Sequence, residues 1–193
     1  MTHNTCRGET STKVWSSKMR RNYSAVFILI LVFVASNIGI AQEAKLYTDP
    51  VDRYQIQLAG EWQEVSSTEA TGARRLVIVF QGHSDRGELR IKKSSLADTT
   101  FEKFLKTEEE SAYRYLPGYV KIKKEEPFGG GKLSGKMIEF DFKRYNNPKL
   151  ARYYYVEDGK GNVWSLMFSG EPKIIKNIRP DTDVMARSFK PLE

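Results

Sequence analysis

Cysteine is all but missing from this chain of 193 residues, which holds a single one, Cys6, near its start. Histidine is nearly as scarce, with His3 and His83 only. One cysteine cannot close an internal disulfide, and everything after residue 6 lacks a thiolate nucleophile or ligand. Structural zinc takes four nitrogen or sulfur ligands and catalytic zinc three protein ligands. His83 alone, with Ser84, Asp85 and Glu88 beside it, meets neither pattern and reads as a polar hairpin tip. Gly-x-Ser-x-Gly is absent, and His83 next to Ser84 is a sequence neighbour, not the positioned base that a serine nucleophile needs. An unbroken stretch of roughly 20 apolar residues, enough to span a bilayer, is missing too. No catalytic residue, metal site or cofactor site is expected, and hence no enzyme.

The longest apolar run is shorter and lies early. Ala25–Ala35 gives eleven apolar residues behind Arg20-Arg21, and Gly39-Ile40-Ala41 follows. A positive flank, a short apolar run and small residues at −3 and −1 make a secretory signal, cleaved before Gln42. Ser36 and Asn37 interrupt the run, which argues against a transmembrane anchor; an uncleaved segment would still tether the protein to a membrane. No cysteine follows the run, so a lipid anchor is excluded. Met19, directly before Arg20-Arg21, reads as an alternative start. The expected organisation is an extension and signal peptide at 1–41 and a single domain at 42–193, exported to the periplasm or secreted.

Removal of that segment changes the charge. Residues 1–41 carry five of the 31 basic residues and one of the 24 acidic ones, so the net charge falls from +7 to +3. An excess this small gives no argument for a nucleic-acid partner. A domain of this size buries roughly 70% of its unfolded surface, enough for a core without disulfides.

The periodicity is mostly that of strands. Residues 45–48 and 54–58 form two short strands around Thr48-Asp49-Pro50, with Tyr54, Ile56 and Leu58 alternating with glutamines. Gly60-Glu61-Trp62 ends the second. Leu76–Phe80 is β-branched and aromatic, and Gly82–Gly87 turns it into Glu88–Lys93. Phe101, Phe104, Leu105, Ala112 and Leu116 then recur at helical spacing, with Asp98 or Thr99 as cap. After the turn Leu116-Pro117-Gly118-Tyr119 come four strands: 119–126, 132–143, 151–157 and 162–168. The tail, 171–189, is helical, with Ile174, Ile175, Ile178, Val184 and Met185 as buried candidates and Pro180 breaking it or starting a second helix. The fold class expected is α+β, an antiparallel sheet flanked by helices.

These elements carry a resemblance. Tyr54–Leu58 leading into Gly60-Glu61-Trp62, the helix from Phe101 into Pro117-Gly118-Tyr119, and Gly135–Phe142 resemble the PsbP/DcrB/Mog superfamily. So do Tyr153–Val156 with Trp164–Phe168 and the closing Met185–Phe189. The likeness covers nearly all of residues 42–193 and implies an α-β-α sandwich. Members occur as photosystem subunits, bacterial envelope proteins and a Ran-binding protein, and mostly bind other proteins. The resemblance implies no catalytic residues, because every matching element is a packing pattern.

Three further patterns bear on function. Gly130-Gly131-Lys132-Leu133-Ser134-Gly135-Lys136 has P-loop spacing, but Met137 stands where the metal-holding Ser or Thr belongs, and the alternation after it predicts a strand instead of a helix. Glu139 and Asp141 share a strand face and read as a solvated outer surface interleaved with Lys143. The basic and aromatic residues Lys121, Lys123, Lys143, Arg144, Tyr145, Arg152 and Tyr154 come together in the meander, and Tyr and Arg favour interface centres. They are the partner-binding candidates. The function expected is a non-enzymatic interaction or assembly module for an unidentified envelope protein or an anionic surface. The alternative is a carrier of a small apolar or anionic ligand between sheet and helix.

Overall fold

In the computed structural model, residues 44–68, 74–130 and 133–192 are described. The apolar run, the cleavage point and Met19 lie outside them, as do residues 131–132 of the glycine-rich connection. The first strands are β1 (Lys45–Asp49), β2 (Tyr54–Leu58), β3 (Trp62–Thr68), β4 (Arg74–Phe80) and β5 (Gly87–Ser95). Helix α1 (Phe101–Ser111) follows, then a 3-10 turn at Tyr113–Tyr115. Strands β6 (Lys124–Gly130), β7 (Leu133–Arg144), β8 (Asn147–Glu157) and β9 (Asn162–Gly170) form the meander. Helices α2 (Pro172–Asn177) and α3 (Arg179–Ser188) and the short β10 (Lys190–Pro191) close the chain.

Several boundaries differ from expectation for local reasons. Gly60, at φ 59°, makes a turn, and Trp62 begins a strand where the sequence pointed to an end. β3 lacks clean alternation because Trp62 is buried while Gln63 to Ser66 are all exposed. The cap of α1 is Thr100, whose Oγ1 accepts the Lys103 N–H at 3.3 Å. The helix stops at Ser111, so Ala112 and Leu116 lie beyond it, and residues 119–123 precede β6 without being a strand. Pro180 sits in the first turn of α3, where its missing N–H costs nothing. Val184 is 54% exposed; the buried face of α3 is made by Thr182, Met185 and Ala186.

The strands form two sheets. Seven run in the order β3-β4-β5-β9-β8-β7-β6, and β1, β2 and β10 make a separate sheet of three. All the paired neighbours are antiparallel. The α+β class holds, but the simple α-β-α sandwich does not. One face of the large sheet is covered by α1, which packs with Leu105, Phe140, Phe142, Tyr155 and Val163. The other is covered by the small sheet together with α2 and α3, around Tyr54, Ile56, Trp164, Phe168, Met185 and Phe189. Neighbouring residues of one strand point to opposite faces. Tyr154 therefore enters the second core while Tyr153 and Tyr155 pack in the first. Each fully buried aromatic or aliphatic side chain contributes roughly 1.5–3 kcal/mol.

One junction in the large sheet is incomplete. β4 stays in register with β3 along its whole length, from Trp62↔Phe80 to Thr68↔Arg74. It meets β5 only at Ile78↔Leu89 and Val79↔Glu88. Beyond those pairs the β3–β4 ribbon parts from β5.

Candidate functional site

The seven basic and aromatic candidates do not form one patch. Arg152 and Tyr154 are buried beneath α3, at 5% and 0% exposure. Arg144 reaches under the opposite face of the sheet, where its Nη2 donates to Glu88 Oε1 at 2.7 Å. Lys121, Lys123, Lys143 and Tyr145 are exposed. Lys123 is ion-paired with Asp141, and the stem of Lys143 lies against Gly118. Tyr145 stands 91% exposed at a two-residue turn between β7 and β8. Alternation along β8 is the reason for the split, because Arg152 and Tyr154 share a parity that faces α3.

Glu139 also departs from expectation: it is 5% exposed, not solvated. Its two oxygens accept from Arg152 Nη1 at 3.2 Å and Arg179 Nη2 at 2.6 Å. Arg152 donates in turn to Asp183 Oδ1 at 2.9 Å and, through Nε, to the Tyr154 hydroxyl at 2.7 Å. Thr182 Oγ1 lies 2.9 Å from the same hydroxyl. Burial, followed by the hydrogen bond to Asp183, pushes the Tyr154 phenol well above its usual range. This network fastens α3 to β7 and β8; its carboxylates are already committed to guanidinium groups. His83 lies in the exposed turn before β5, its N–H bonded to the Phe80 carbonyl. The P-loop look-alike is flanked by two paired strands, as its alternation predicted. Among the described residues, no group of three or more His, Cys, Asp or Glu is placed to hold a metal.

A larger concavity, not foreseen from sequence, lies elsewhere. An open groove of about 1130 Å³ runs between the β1–β2 turn, the β8–β9 hairpin and the end of α3 with β10. Arg53, Lys93, Lys160, Arg187 and Lys190 line it, against two carboxylates, Asp52 and Asp158. All five cations are on exposed residues. Asp158 is occupied by its own hairpin: Oδ1 accepts from the Lys160 N–H at 2.8 Å and the Asn162 N–H at 3.1 Å. Oδ2 accepts from Asn162 Nδ2 at 2.8 Å and Trp164 Nε1 at 3.4 Å. Burial pushes its carboxyl up, but the bonds from Asn162 and Lys160 outweigh it and hold the group below the usual range. It stays ionised and serves the turn.

Two of the cations stand over aromatic rings. Lys93 Nζ stands 5.4 Å from the Trp164 ring centre and Arg187 Cζ 5.1 Å from that of Phe128. Such contacts orient a cation over an aromatic face without neutralising it. Arg187 also donates to the Gly129 carbonyl at 2.5 Å. A concave surface with five cations at its rim and one uncommitted-by-turn carboxylate, Asp52, is suited to an anionic group. The signal was diffuse in the sequence: the five basic residues span Arg53 to Lys190, and the pairings of β10 with β2 and of β9 with β5 and β8 bring them together.

A seven-stranded antiparallel sheet with a helix on one face, and a small sheet with two helices on the other, defines the class of fold. It is the PsbP-like fold, as the residue resemblance implied. No protein-family model matches the chain, and no curated protein sequence matches it. Among solved structures, the cyanobacterial PsbP of Synechocystis sp. PCC 6803 is similar at 17% identity and a TM-score of 0.54, over 80% of this chain and 95% of that one. LpqN of Mycobacterium tuberculosis, involved in cell envelope biogenesis, is similar at 15% identity and 0.55, over 77% and 90%. PA94 of Pseudomonas aeruginosa, a protein of unknown function, is similar at 15% and 0.50, over 78% and 99%. At these identities the likeness is one of fold.

Proposed function

We propose that the protein is an exported, non-enzymatic module of the cell envelope that docks an acidic partner protein in the basic groove. The observation that carries the reading is the convergence of five exposed cations on one open concavity. Export is supported by the basic, apolar and small-residue pattern of residues 20–41, and an envelope setting by the role printed for LpqN. The paired carboxylates of β7, Glu139 and Asp141, are engaged by Arg152, Arg179 and Lys123, which favours binding over chemistry. Charge complementarity of this kind steers association and selects partners.

The test is photo-cross-linking in intact cells, with the reactive group at Lys160 or Lys190 and a control at Lys106 on the solvent side of α1. A discrete adduct from the groove positions, absent from the control and lost on Arg53→Glu/Lys190→Glu, is expected. Equal labelling from all three positions, or an adduct indifferent to charge reversal, refutes the reading. The groove also supports a second reading, a carrier of a small anionic ligand, since its five cations converge on a concavity somewhat larger than the ~300–1,000 Å³ of ligand sites. Native mass spectrometry separates the two: a co-purified small molecule lost on Arg53→Glu/Lys190→Glu favours the carrier.

A further inference from the structure

β5 has one finished side and one unfinished side. All nine of its residues pair with β9, yet only Glu88 and Leu89 meet β4. From Arg90 to Ser95 the side toward β4 has no strand partner, and no backbone hydrogen bond to a turn or loop takes its place among the described residues. A cleft of about 380 Å³ opens there, between Val77 and Ile78 of β4 and Arg90, Ile91 and Lys92 of β5. Arg90 Nε is buried without a hydrogen-bond partner.

Continuing the β4–β5 register shows why the junction parts. The next positions would set Val77 opposite Arg90, then Leu76 opposite Ile91, Arg75 opposite Lys92 and Arg74 opposite Lys93. Like charges directly opposite one another destabilise an antiparallel pair. The ribbon leaves β5 two positions before two successive cation-on-cation pairs would begin, and its course avoids both. What remains is a strand edge bordered by basic positions on both sides. On β5, Arg90 lies 3.2 Å from Glu88, and the half-exposed Lys92 lies 3.8 Å from Glu108. At the end of the cleft Asp49 is used by its own turn, accepting from the Val51 and Asp52 N–H groups at 2.8 Å each.

The cleft is continuous with the basic groove, since Val51 and Asp52 line both and Lys93 follows Lys92 along β5. We infer that an extended acidic segment of a partner protein adds as a strand to Arg90–Ser95 of β5, filling the gap beside β4 and continuing past Lys93 into the groove. The inference rests on the reading of the groove as the acidic partner's site and adds how that partner is held. Backbone bonds to the free edge supply affinity, and alternate carboxylates on the face of Arg90 and Lys92 supply selection.

The experiment uses the full chain and a fluorescent peptide of alternating glutamate and valine, about ten residues long so as to span one strand. Anisotropy gives affinity and hydrogen exchange gives protection at the amides of 90–95. Saturable binding with new protection there, and at least tenfold weaker binding of a peptide with lysine for glutamate, is expected. Arg74→Glu/Arg75→Glu should let the ribbon close over β5: the same amides become protected without peptide, and affinity falls at least tenfold. Peptide bound with β5 left unprotected, and sensitive only to Lys160→Glu/Lys190→Glu, overturns strand addition while the groove reading stands. No binding overturns both. Protection that rises with protein concentration in the absence of peptide overturns the partner segment in favour of a second copy.

Discussion

Tyr145 carries a backbone conformation that its side chain disfavours. It and Asn146 form the β7–β8 turn with φ of 50° and 63°, the doubly left-handed geometry that suits Asn and Gly. An exposed aromatic ring there gains no burial in return, so Tyr145→Asn should stabilise the protein by about 1 kcal/mol, read as a higher urea midpoint at unchanged slope. Arg152 is the opposite case. Its guanidinium holds Glu139 and Asp183 at once, and both Arg152 and Glu139 are buried. Arg152→Ala leaves a buried carboxylate with half its partners and should cost about 3 kcal/mol in thermal or denaturant unfolding. Replacing Glu139 and Arg152 together by leucine and methionine should cost much less, because no charge is stranded. Alternation alone told which residues of β7 and β8 share a face. It could not tell that the face bearing Glu139 is roofed by α3, because that depends on where a helix forty residues later comes to rest.

At the scale of elements, the sequence was most legible where one face is buried and the other wet. The alternating runs of β2, β7 and β9 and the spacing of α1 placed those elements within a few residues. β3 was missed because it is an edge strand whose residues Gln63 to Ser66 are all exposed, and the three-stranded sheet because its third member, β10, is two residues long. The glycine-rich stretch with P-loop spacing runs into β7, and its last glycine has a strict role there. Gly135 pairs with Val156, and a Cβ there would fall inside the contact radius of the Tyr155 carbonyl oxygen. That oxygen belongs to the ladder and cannot retreat. Gly135→Ala should therefore destabilise by about 2–3 kcal/mol, measured by denaturant unfolding, whereas Gly159→Ala, with nothing near its Cβ position but a φ of 69°, should cost nearer 1.

The molecule as a whole is built on tyrosines. Burial pushes Tyr54, Tyr113, Tyr154 and Tyr155 well above their ordinary value of 10.0. Tyr153 and Tyr119 rise to about 12, by burial first and then by Glu88 and Glu109 respectively. An unfolded chain ionises these phenols near 10 while the folded one still holds its protons, so the folded state binds more protons above that pH. Stability is thus fully present below pH 10 and declines as pH climbs toward about 12. Tyrosinate absorbance and loss of near-ultraviolet dichroism should appear together in one cooperative alkaline transition. Separate phenol titrations with the fold intact would contradict it.

The pairing of β10 with β2 sets an order in time. Lys190 and Pro191 lie beside Gln55 and Tyr54, and Phe189 stacks with Tyr54 and Trp164 at ring separations of 5.6 and 5.2 Å. Residues near the front of the domain thus wait for residues 189–191 before their sheet and its aromatic core are complete. Pairing across so long a loop is slow and comes late in folding. A chain of this topology stays unlocked until residues 189–191 are present to close it, and up to that point the polypeptide can still be threaded through a narrow channel.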